Sequence, residues 1–139
     1  MLVEDNADHI ELTVSALREA NLTNKIVVMK DGAEAVSYLK GDGEYSDRKT
    51  HSLPILILLD LKMPKLGGKE VLKMIKNDEG LKMIPVVILT SSGMESDKEE
   101  CYKLGANSYI VKPISFGAFV EKVKSIPLYW LLVNSLPER

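Results

Sequence analysis

Five short apolar runs, separated by segments with helical spacing, constrain the fold of this chain more than any other feature of its sequence. The runs are rich in branched residues and lack polar alternation; they are Leu2–Val3, Ile26–Met29, Ile55–Leu59, Val86–Leu89 and Tyr109–Val111. Continuous apolar runs of this length are typical of strands in a parallel sheet that is covered on both faces. We therefore predict five buried strands.

The segments between the runs carry apolar residues three or four positions apart, which indicates amphipathic helices. The marker residues are Ile10, Val14 and Leu17; Ala33, Val36 and Leu39; Val71, Met74 and Ile75; Glu99 to Leu104; and Phe116, Phe119 and Val123. Because hairpins cannot join parallel neighbours, the alternation of strand and helix predicts right-handed crossovers and an open α/β sheet.

The length and charge of the chain narrow the classes of protein to which it can belong. Its 139 residues, 45% of them hydrophobic, suit one domain spanning residues 1–139. The 18 basic and 20 acidic residues give a formal charge of -2, which argues against direct nucleic-acid binding. No apolar run approaches the roughly 20 residues that cross a membrane. The single cysteine, Cys101, excludes an intrachain disulfide, and a cytoplasmic location fits best.

Two stretches depart from the regular alternation, and the start of the chain is short. Gly41–Ser52 is polar and contains two glycines, so we predict an exposed loop. Ser125–Arg139 is a C-terminal extension in which a short extra helix is entered at Pro127 and carries Trp130. Few residues precede the first acidic pair, so we expect the first strand to begin before Met1.

Polar and charged side chains follow the predicted strands at the points where these strands end. Because the carboxyl ends of parallel strands meet at one edge of a sheet, we expect these side chains to converge where ligands of such sheets bind. They are Glu4 and Asp5 after the first strand, Asp60 after the third, Thr90 at the end of the fourth and Lys112 after the fifth.

Three carboxylates at one edge repel one another, and a hard divalent cation relieves that repulsion. Mg²⁺ prefers oxygen ligands in octahedral geometry, so we predict that Asp5 and Asp60 bind this ion. Glu4 would bind it directly or through a water molecule. The backbone carbonyl of Lys62, close after Asp60 in the chain, would supply a further ligand.

The same edge carries groups that suit phosphoryl transfer. Asp60 is the predicted nucleophile, because carboxylates form acyl phosphates in aspartyl-phosphate chemistry. Mg²⁺ and Lys112 together would neutralise the charge on the phosphoryl oxygens. Thr90 would donate a hydrogen bond to one of these oxygens.

Four motifs at these strand ends resemble the signatures of response regulator receiver domains. They are the residues LVEDN at 2–6, LLDLKMP at 58–64, ILTS at 88–91 and VKP at 111–113. The resemblance spans nearly the whole chain and implies a flavodoxin-like, doubly wound sheet with strand order 2-1-3-4-5. It implies that Asp60 receives its phosphoryl group from a histidine kinase, that Thr90 and Tyr109 form a coupled switch, and that a cis peptide bond precedes Pro113.

The chain resembles more narrowly the stand-alone receivers that partner bacterial phytochrome kinases. The features that carry this resemblance are the long loop with its Gly43-Glu44-Tyr45 sequence, the residues IPVV at 84–87 and the residues YWL at 129–131. The resemblance implies a small regulator that can form homodimers through the fourth and fifth helices. Its output would be protein binding.

Several other residues have simpler interpretations. We expect His9, in the first turn of the first helix, and His51, in a loop, to face solvent and to bind no metal. We expect Cys101 to pack near the core, because no neighbouring cluster would lower its pKa.

Two other functions are considered beside the regulatory switch. A phosphatase of the aspartyl-phosphate type uses a similar aspartate, Mg²⁺ and lysine, but it generally carries a second aspartate where this chain has Lys62. A flavodoxin-like binding protein is disfavoured because no phosphate-binding loop rich in Ser, Thr and Gly follows the first strand. We therefore expect a signalling protein whose own phosphorylation and dephosphorylation are its only reactions.

Overall fold

The computed structural model describes residues 1–22, 24–112 and 115–125, which form a parallel sheet between two layers of helices. The elements in chain order are β1 (Leu2–Val3), α1 (Ala7–Glu19), β2 (Val28–Met29), α2 (Gly32–Lys40), β3 (Ile57–Leu59), α3 (Gly68–Lys76), β4 (Val86–Thr90), α4 (Glu95–Lys103), β5 (Ser108–Val111) and α5 (Phe116–Ser125). The sheet has five strands in the order β2-β1-β3-β4-β5. The predicted doubly wound fold and its strand order are confirmed.

The sheet is shortest at β1 and β2, which have two residues each. Leu2 pairs with Val28 on one side and with Leu58 on the other. Strands β2 and β3 are shorter than the apolar runs that predicted them; β2 pairs only with the two residues of β1, while β3 also pairs through Ile57 with Val86 of β4. The backbone N–H of Asp60 donates to the carbonyl of Val3 at 3.0 Å, which fixes the end of β3 beside the end of β1.

Successive side chains of the strands point to opposite faces of the sheet and pack into two separate cores. One core combines Val3, Leu59 and Ile88 with side chains from α2, α3 and α4. The other combines Leu2 and Leu58 with side chains from α1 and α5. Helices therefore cover both faces of the sheet, as the unbroken apolar runs predicted.

The packing of Cys101 agrees with the sequence. Its side chain is fully buried in the core under α4, and burial raises the pKa of its thiol. The prediction of a small core residue is confirmed.

Helix α4 begins at Glu95 rather than at Glu99, where the sequence pattern placed it. Its first turn carries Glu95 and Asp97, and Cys101 is its one buried residue. A helix with so little buried surface has no apolar periodicity from which its start could be read.

The Gly41–Ser52 segment is held to the end of α2 by an arginine. The guanidinium of Arg48 donates to the carbonyls of Tyr38 at 2.8 Å and Leu39 at 2.6 Å. These two carbonyls lie in the last turn of the helix, and that of Tyr38 also accepts the backbone N–H of Gly41 at 3.1 Å. The segment also contains a single 3₁₀ turn, Gly43–Tyr45.

The expectation that His51 faces solvent was wrong. Its ring lies edge-on to two tyrosine rings, with centroids 5.8 Å from Tyr38 and 5.3 Å from Tyr45. The anchored segment carries His51 back against α2, so this residue packs with aromatic side chains.

Several predicted features fall on residues outside those described. These are the cis bond before Pro113 and the extra C-terminal helix with Pro127 and Trp130. Within the described part of the chain, no helix has the combination of length and hydropathy that a membrane crossing requires.

Candidate functional site

The three predicted carboxylates meet at the carboxyl edge of the sheet. Glu4 and Asp5 follow β1 directly, and Asp60 follows its neighbour β3. Ligand oxygens of the three side chains all lie within 4.8 Å of one another. Glu4 and Asp60 are buried, at 1% and 8% exposure, whereas Asp5 is exposed and forms the open side of the cluster.

A buried lysine faces this cluster from the other side. Lys112 follows β5, and its ammonium donates to Oε1 of Glu4. The second oxygen of Glu4 accepts the backbone N–H groups of Asp5 at 3.1 Å and Asn6 at 3.4 Å. Burial acts to raise the pKa of Glu4, but its bonds to Lys112 and Asp60 outweigh burial and hold this pKa below its ordinary value.

Asp60 has the opposite balance. Burial, followed by the negative charge of Glu4, raises the pKa of Asp60 to about 6, although the charge of Lys112 opposes this shift. One ammonium therefore does not compensate both buried carboxylates. The site retains excess negative charge that an added cation would neutralise.

The donor set fits a hard divalent cation. All three clustered side chains offer carboxylate oxygens, and Asp5 leaves a solvent-accessible approach. Mg²⁺ binds through few carboxylates and keeps several waters, so it does not need a closed protein cage.

The peptide that carries Asp60 is held by the start of α3. The N–H of Gly68 donates to the carbonyl of Leu61 at 3.0 Å. A Cβ atom at Gly68 would lie only 2.1 Å from the carbonyl oxygen of Asp60. Only glycine permits this approach, which was not predicted although the Gly67-Gly68 pair in the sequence was a signal for it.

Thr90 ends β4 with its side chain fully buried. It lies two residues beyond Ile88, which pairs with Leu59 immediately before Asp60. Its hydroxyl oxygen accepts the backbone N–H of Ser92 at 3.2 Å. Thr90 therefore belongs to the same edge of the sheet as the carboxylates.

Tyr109 contacts the same loop from β5. Its hydroxyl donates to the carbonyl of Ser92 at 2.9 Å, and burial raises the pKa of this phenol. Thr90 and Tyr109 thus bind the N–H and the carbonyl of one residue.

His9 is partly exposed to solvent, as expected, but it also borders the site. Its Nδ1 lies 3.1 Å from the ammonium of Lys112 and 3.6 Å from Oε1 of Glu4. The side chain is 40% exposed, so it borders the cluster rather than filling it. Its place in the first turn of α1, directly after the acidic pair, was the available signal.

Two predicted site features stay predictions. Lys62 is exposed in the loop after β3, and its backbone N–H lowers the pKa of Asp60, but a metal-binding role of its carbonyl is untested. Pro113 lies outside the described residues.

Comparisons with known sequences identify the family. The sequence model of the response regulator receiver domain family matches residues 1–124. The probable methanogenesis regulatory protein FilR2 of Methanothrix harundinacea (strain 6Ac) is 41% identical over 140 residues, which cover 99% of this chain and 86% of that protein. Response regulator Rcp1 of Synechocystis sp. is 36% identical over 137 residues, which cover 99% of this chain and 91% of Rcp1.

Solved structures agree with these matches. The phosphorylated cyanobacterial phytochrome response regulator RcpA is 43% identical, with a TM-score of 0.85 and coverage of 99% of this chain and 96% of RcpA. The Mn²⁺-bound form of Rcp1 has a TM-score of 0.83 at 36% identity, with coverage of 99% of this chain and 96% of Rcp1. The chain therefore belongs to the response regulator receiver domain family of two-component signalling, and phytochrome response regulators are among its homologues.

Proposed function

We propose that Asp60 accepts a phosphoryl group from the phosphohistidine of a histidine kinase and that residues 1–139 act as one receiver domain. The observation that carries this proposal is the position of Asp60, buried beside Glu4 and Asp5 with all three sets of oxygens within 4.8 Å. A buried carboxylate with excess negative charge around it is suited to bind a cation and then to attack a phosphoryl group.

Asp5 and Asp60 would bind Mg²⁺ directly, while Glu4 would bind it directly or through water. The Lys62 carbonyl would complete the protein ligands. Bound Mg²⁺ would supply positive charge beside the phosphoryl oxygens. The carboxylate cluster supports this assignment, and the Mn²⁺-bound form of Rcp1 shows that a relative binds a divalent ion.

In the transfer, a carboxylate oxygen of Asp60 attacks the phosphorus atom. The bond between phosphorus and the kinase imidazole breaks, and the imidazole leaves with the bonding electron pair. The ammonium of Lys112 and the hydroxyl of Thr90 contact the phosphoryl oxygens. Burial of both residues holds them in place for this role, because a buried side chain has few alternative conformations.

Water then attacks the phosphorus atom and the bond between phosphorus and the Asp60 oxygen breaks, which releases inorganic phosphate and restores the carboxylate of Asp60. The chain would therefore catalyse only its own phosphorylation and dephosphorylation. The family assignment favours this switch over the phosphatase and the flavodoxin-like binding protein.

The partner kinase would be of the phytochrome type, and the exchange would take place in the cytoplasm. Similarity to RcpA, a phytochrome response regulator, over 99% of this chain supports this choice of kinase. A direct contrast tests it. The chain should accept phosphate faster from a phytochrome kinase than from an unrelated histidine kinase at equal concentration, and equal rates would contradict the choice.

The phosphorylated chain would form a homodimer through the face of α4 and α5. Large apolar side chains are exposed on α4 and its N-cap, on β5 and on α5; they are Met94, Tyr102, Val111 and Phe116, at 63%, 43%, 41% and 41% exposure. Exposed apolar patches commonly mark protein interfaces. Sedimentation with and without beryllofluoride and Mg²⁺ should show a shift to dimer, which a Tyr102→Glu substitution should prevent.

Phosphate incorporation from acetyl phosphate tests the central proposal. The wild-type chain should become phosphorylated in the presence of Mg²⁺ and should remain unmodified with a chelator. Asp60→Asn should abolish incorporation, whereas Asp8→Asn, a change of an exposed aspartate in the first turn of α1, should leave it unchanged. Equal incorporation by the Asp60→Asn variant would refute the assignment.

A further inference from the structure

A charged contact joins α3 to α4 beside the candidate site. The ammonium of Lys69 donates to Oδ1 of Asp97 at 2.7 Å and to Oε2 of Glu100 at 2.7 Å. The side chains of Lys69 and Asp97 are 33% and 21% exposed, so this pair is shielded more than an ordinary surface ion pair. The three residues bind the second residue of α3 to the first two turns of α4.

Asp97 also binds the loop between β4 and α4. Its Oδ2 accepts the hydroxyl of Ser92 at 2.5 Å, while its Oδ1 accepts the ammonium of Lys69. Each carboxylate oxygen therefore has its own partner. Hydrogen bonds to a charged acceptor are roughly twice as strong as those between neutral groups, so Asp97 fixes the Ser92 side chain.

Ser92 is the residue at which contacts of Thr90 and Tyr109 meet. It is buried, at 7% exposure. Its N–H donates to the hydroxyl oxygen of Thr90 at 3.2 Å, and its carbonyl accepts the hydroxyl of Tyr109 at 2.9 Å. Any displacement of Ser92 therefore alters a contact of both residues.

The other end of this network reaches the Asp60 peptide. Lys69 directly follows Gly68, whose Cα packs against the carbonyl of Asp60 so closely that no Cβ can be accommodated. The start of α3 is consequently fixed to the proposed phosphoacceptor, and Lys69 extends from this fixed point to α4.

We propose that Asp97, anchored by Lys69, is a positioning residue that holds Ser92 so that Thr90 and Tyr109 respond together to the phosphoryl group. This inference rests on the proposed roles of Asp60, Thr90 and Tyr109. It adds that the ion pair between α3 and α4 holds Ser92, the residue that Thr90 and Tyr109 both contact.

A double-mutant cycle on beryllofluoride affinity tests the inference. In the wild-type background, Tyr109→Phe should change the affinity for beryllofluoride with Mg²⁺ by a factor within the range of roughly 2- to 30-fold that is typical of coupled sites. In an Asp97→Ala background, the same Tyr109→Phe change should have an effect of less than roughly twofold, because Ser92 no longer relays it.

Graded variants separate positioning from a general structural role. Asp97→Asn keeps a carbonyl acceptor for Ser92 and should retain the larger part of the coupling. Lys69→Met removes the ammonium that anchors Asp97. It should weaken the coupling although Lys69 itself does not contact Ser92. The matched controls are Lys73→Met on α3 and Glu99→Gln on α4, two exposed residues whose substitution should leave the coupling at its wild-type value.

The outcomes distinguish the inference from the function on which it rests. An equal Tyr109→Phe effect in the wild-type and Asp97→Ala backgrounds would overturn the inference, as would a Tyr109→Phe change with no effect in either. Failure of the wild-type chain to bind beryllofluoride with Mg²⁺ would instead overturn the proposed function.

Discussion

The two ends of the sheet each hold a lysine ammonium among polar groups, but they use it in different ways. At the amino end, the ammonium of Lys76 donates to the carbonyls of Lys82 at 3.1 Å and Ile84 at 2.8 Å, and to Oδ1 of Asn107 at 3.3 Å. The same Asn107 oxygen accepts the N–H of Val86 at 2.9 Å, which ties the starts of β4 and β5 together. All these acceptors are neutral.

At the carboxyl end, Lys112 faces three clustered carboxylates, those of Glu4, Asp5 and Asp60. At the amino end, the described bonds of the Lys76 ammonium are all made to neutral acceptors of the chain itself. The carboxyl end contains three carboxylates but one lysine ammonium, so its negative charge is not compensated. A complete polar cluster stabilises a fold, whereas an uncompensated one requires a ligand.

Replacing each of the two lysines by methionine, in separate variants, should distinguish these roles most clearly. Lys112→Met should slow phosphorylation by acetyl phosphate by roughly 100-fold or more, since it removes a charge that stabilises the phosphoryl oxygens. Lys76→Met should leave that rate unchanged but lower the free energy of unfolding by about 0.5–1.5 kcal/mol, because it removes the hydrogen bonds of the ammonium to Lys82, Ile84 and Asn107. Rates and denaturant titrations measure both effects, and a matching loss of phosphorylation in Lys76→Met would erase the distinction.

Removal of the exposed carboxylate should weaken divalent-ion binding. Asp5→Asn deletes one of the three clustered carboxylate charges, so the affinity for Mg²⁺ should fall by roughly tenfold or more. Calorimetric titration measures the change. Asp8→Asn provides the matched control, because Asp8 is also exposed but lies in the first turn of α1. Equal affinities in the two variants would show that Asp5 is not a ligand.

The Asp60 peptide should tolerate no side chain at the start of α3. Gly68→Ala would bring a Cβ within 2.1 Å of the Asp60 carbonyl oxygen. The expected cost is about 1–3 kcal/mol of unfolding free energy, with slower phosphorylation. Gly117→Ala in α5 is the control, since a Cβ added at this position would have no atom within 4 Å. That change should stabilise the chain by about 0.5–1 kcal/mol. Destabilisation by Gly117→Ala alone would reverse the prediction.

The negative charge of Asp60 should lower the free energy of unfolding when no metal is bound. The pKa of Asp60 is raised from 3.8 to about 6 by burial and by Glu4, so ionisation disfavours the folded state. Its favourable contribution is therefore present below about pH 4 and lost as pH rises through about 6. Asp60→Asn should stabilise the metal-free chain by about 1–3 kcal/mol near neutral pH.

Denaturant titrations in a chelating buffer test this stabilisation. The advantage of Asp60→Asn should shrink as the pH is lowered towards about 4, where the wild-type carboxylate is neutral. Added Mg²⁺ should shrink it as well, by stabilising the wild-type chain. An Asp60→Asn variant less stable than wild type at neutral pH would contradict this account.

The carboxyl end was predictable from sequence because strand ends fix where its residues lie. Glu4, Asp60 and Lys112 each follow an apolar run, and parallel strands bring such positions to one edge whatever their side-chain conformations. The burial of Thr90 follows from the same reasoning. The doubly wound order was accessible from the receiver motifs.

Contacts between elements could not be predicted in this way. The bonds of Lys69 to Asp97 depend on how α3 and α4 cross, and the contact of His9 with Lys112 depends on where α1 begins relative to β5. Neither geometry leaves a periodic signal in the sequence. The polar first turn of α4 concealed its start for the same reason, because Asp97 lies there without apolar neighbours at helical spacing.

Chemical mapping of the phosphoryl group tests the central claim most directly. After reaction with acetyl phosphate and Mg²⁺, borohydride reduction should convert the acyl phosphate of Asp60 to homoserine, which mass spectrometry of the peptides can locate. We predict homoserine at the position of Asp60 and at no other aspartate, with none formed in a chelating buffer. Homoserine at Asp5 or elsewhere, with Asp60 unmodified, would contradict the account.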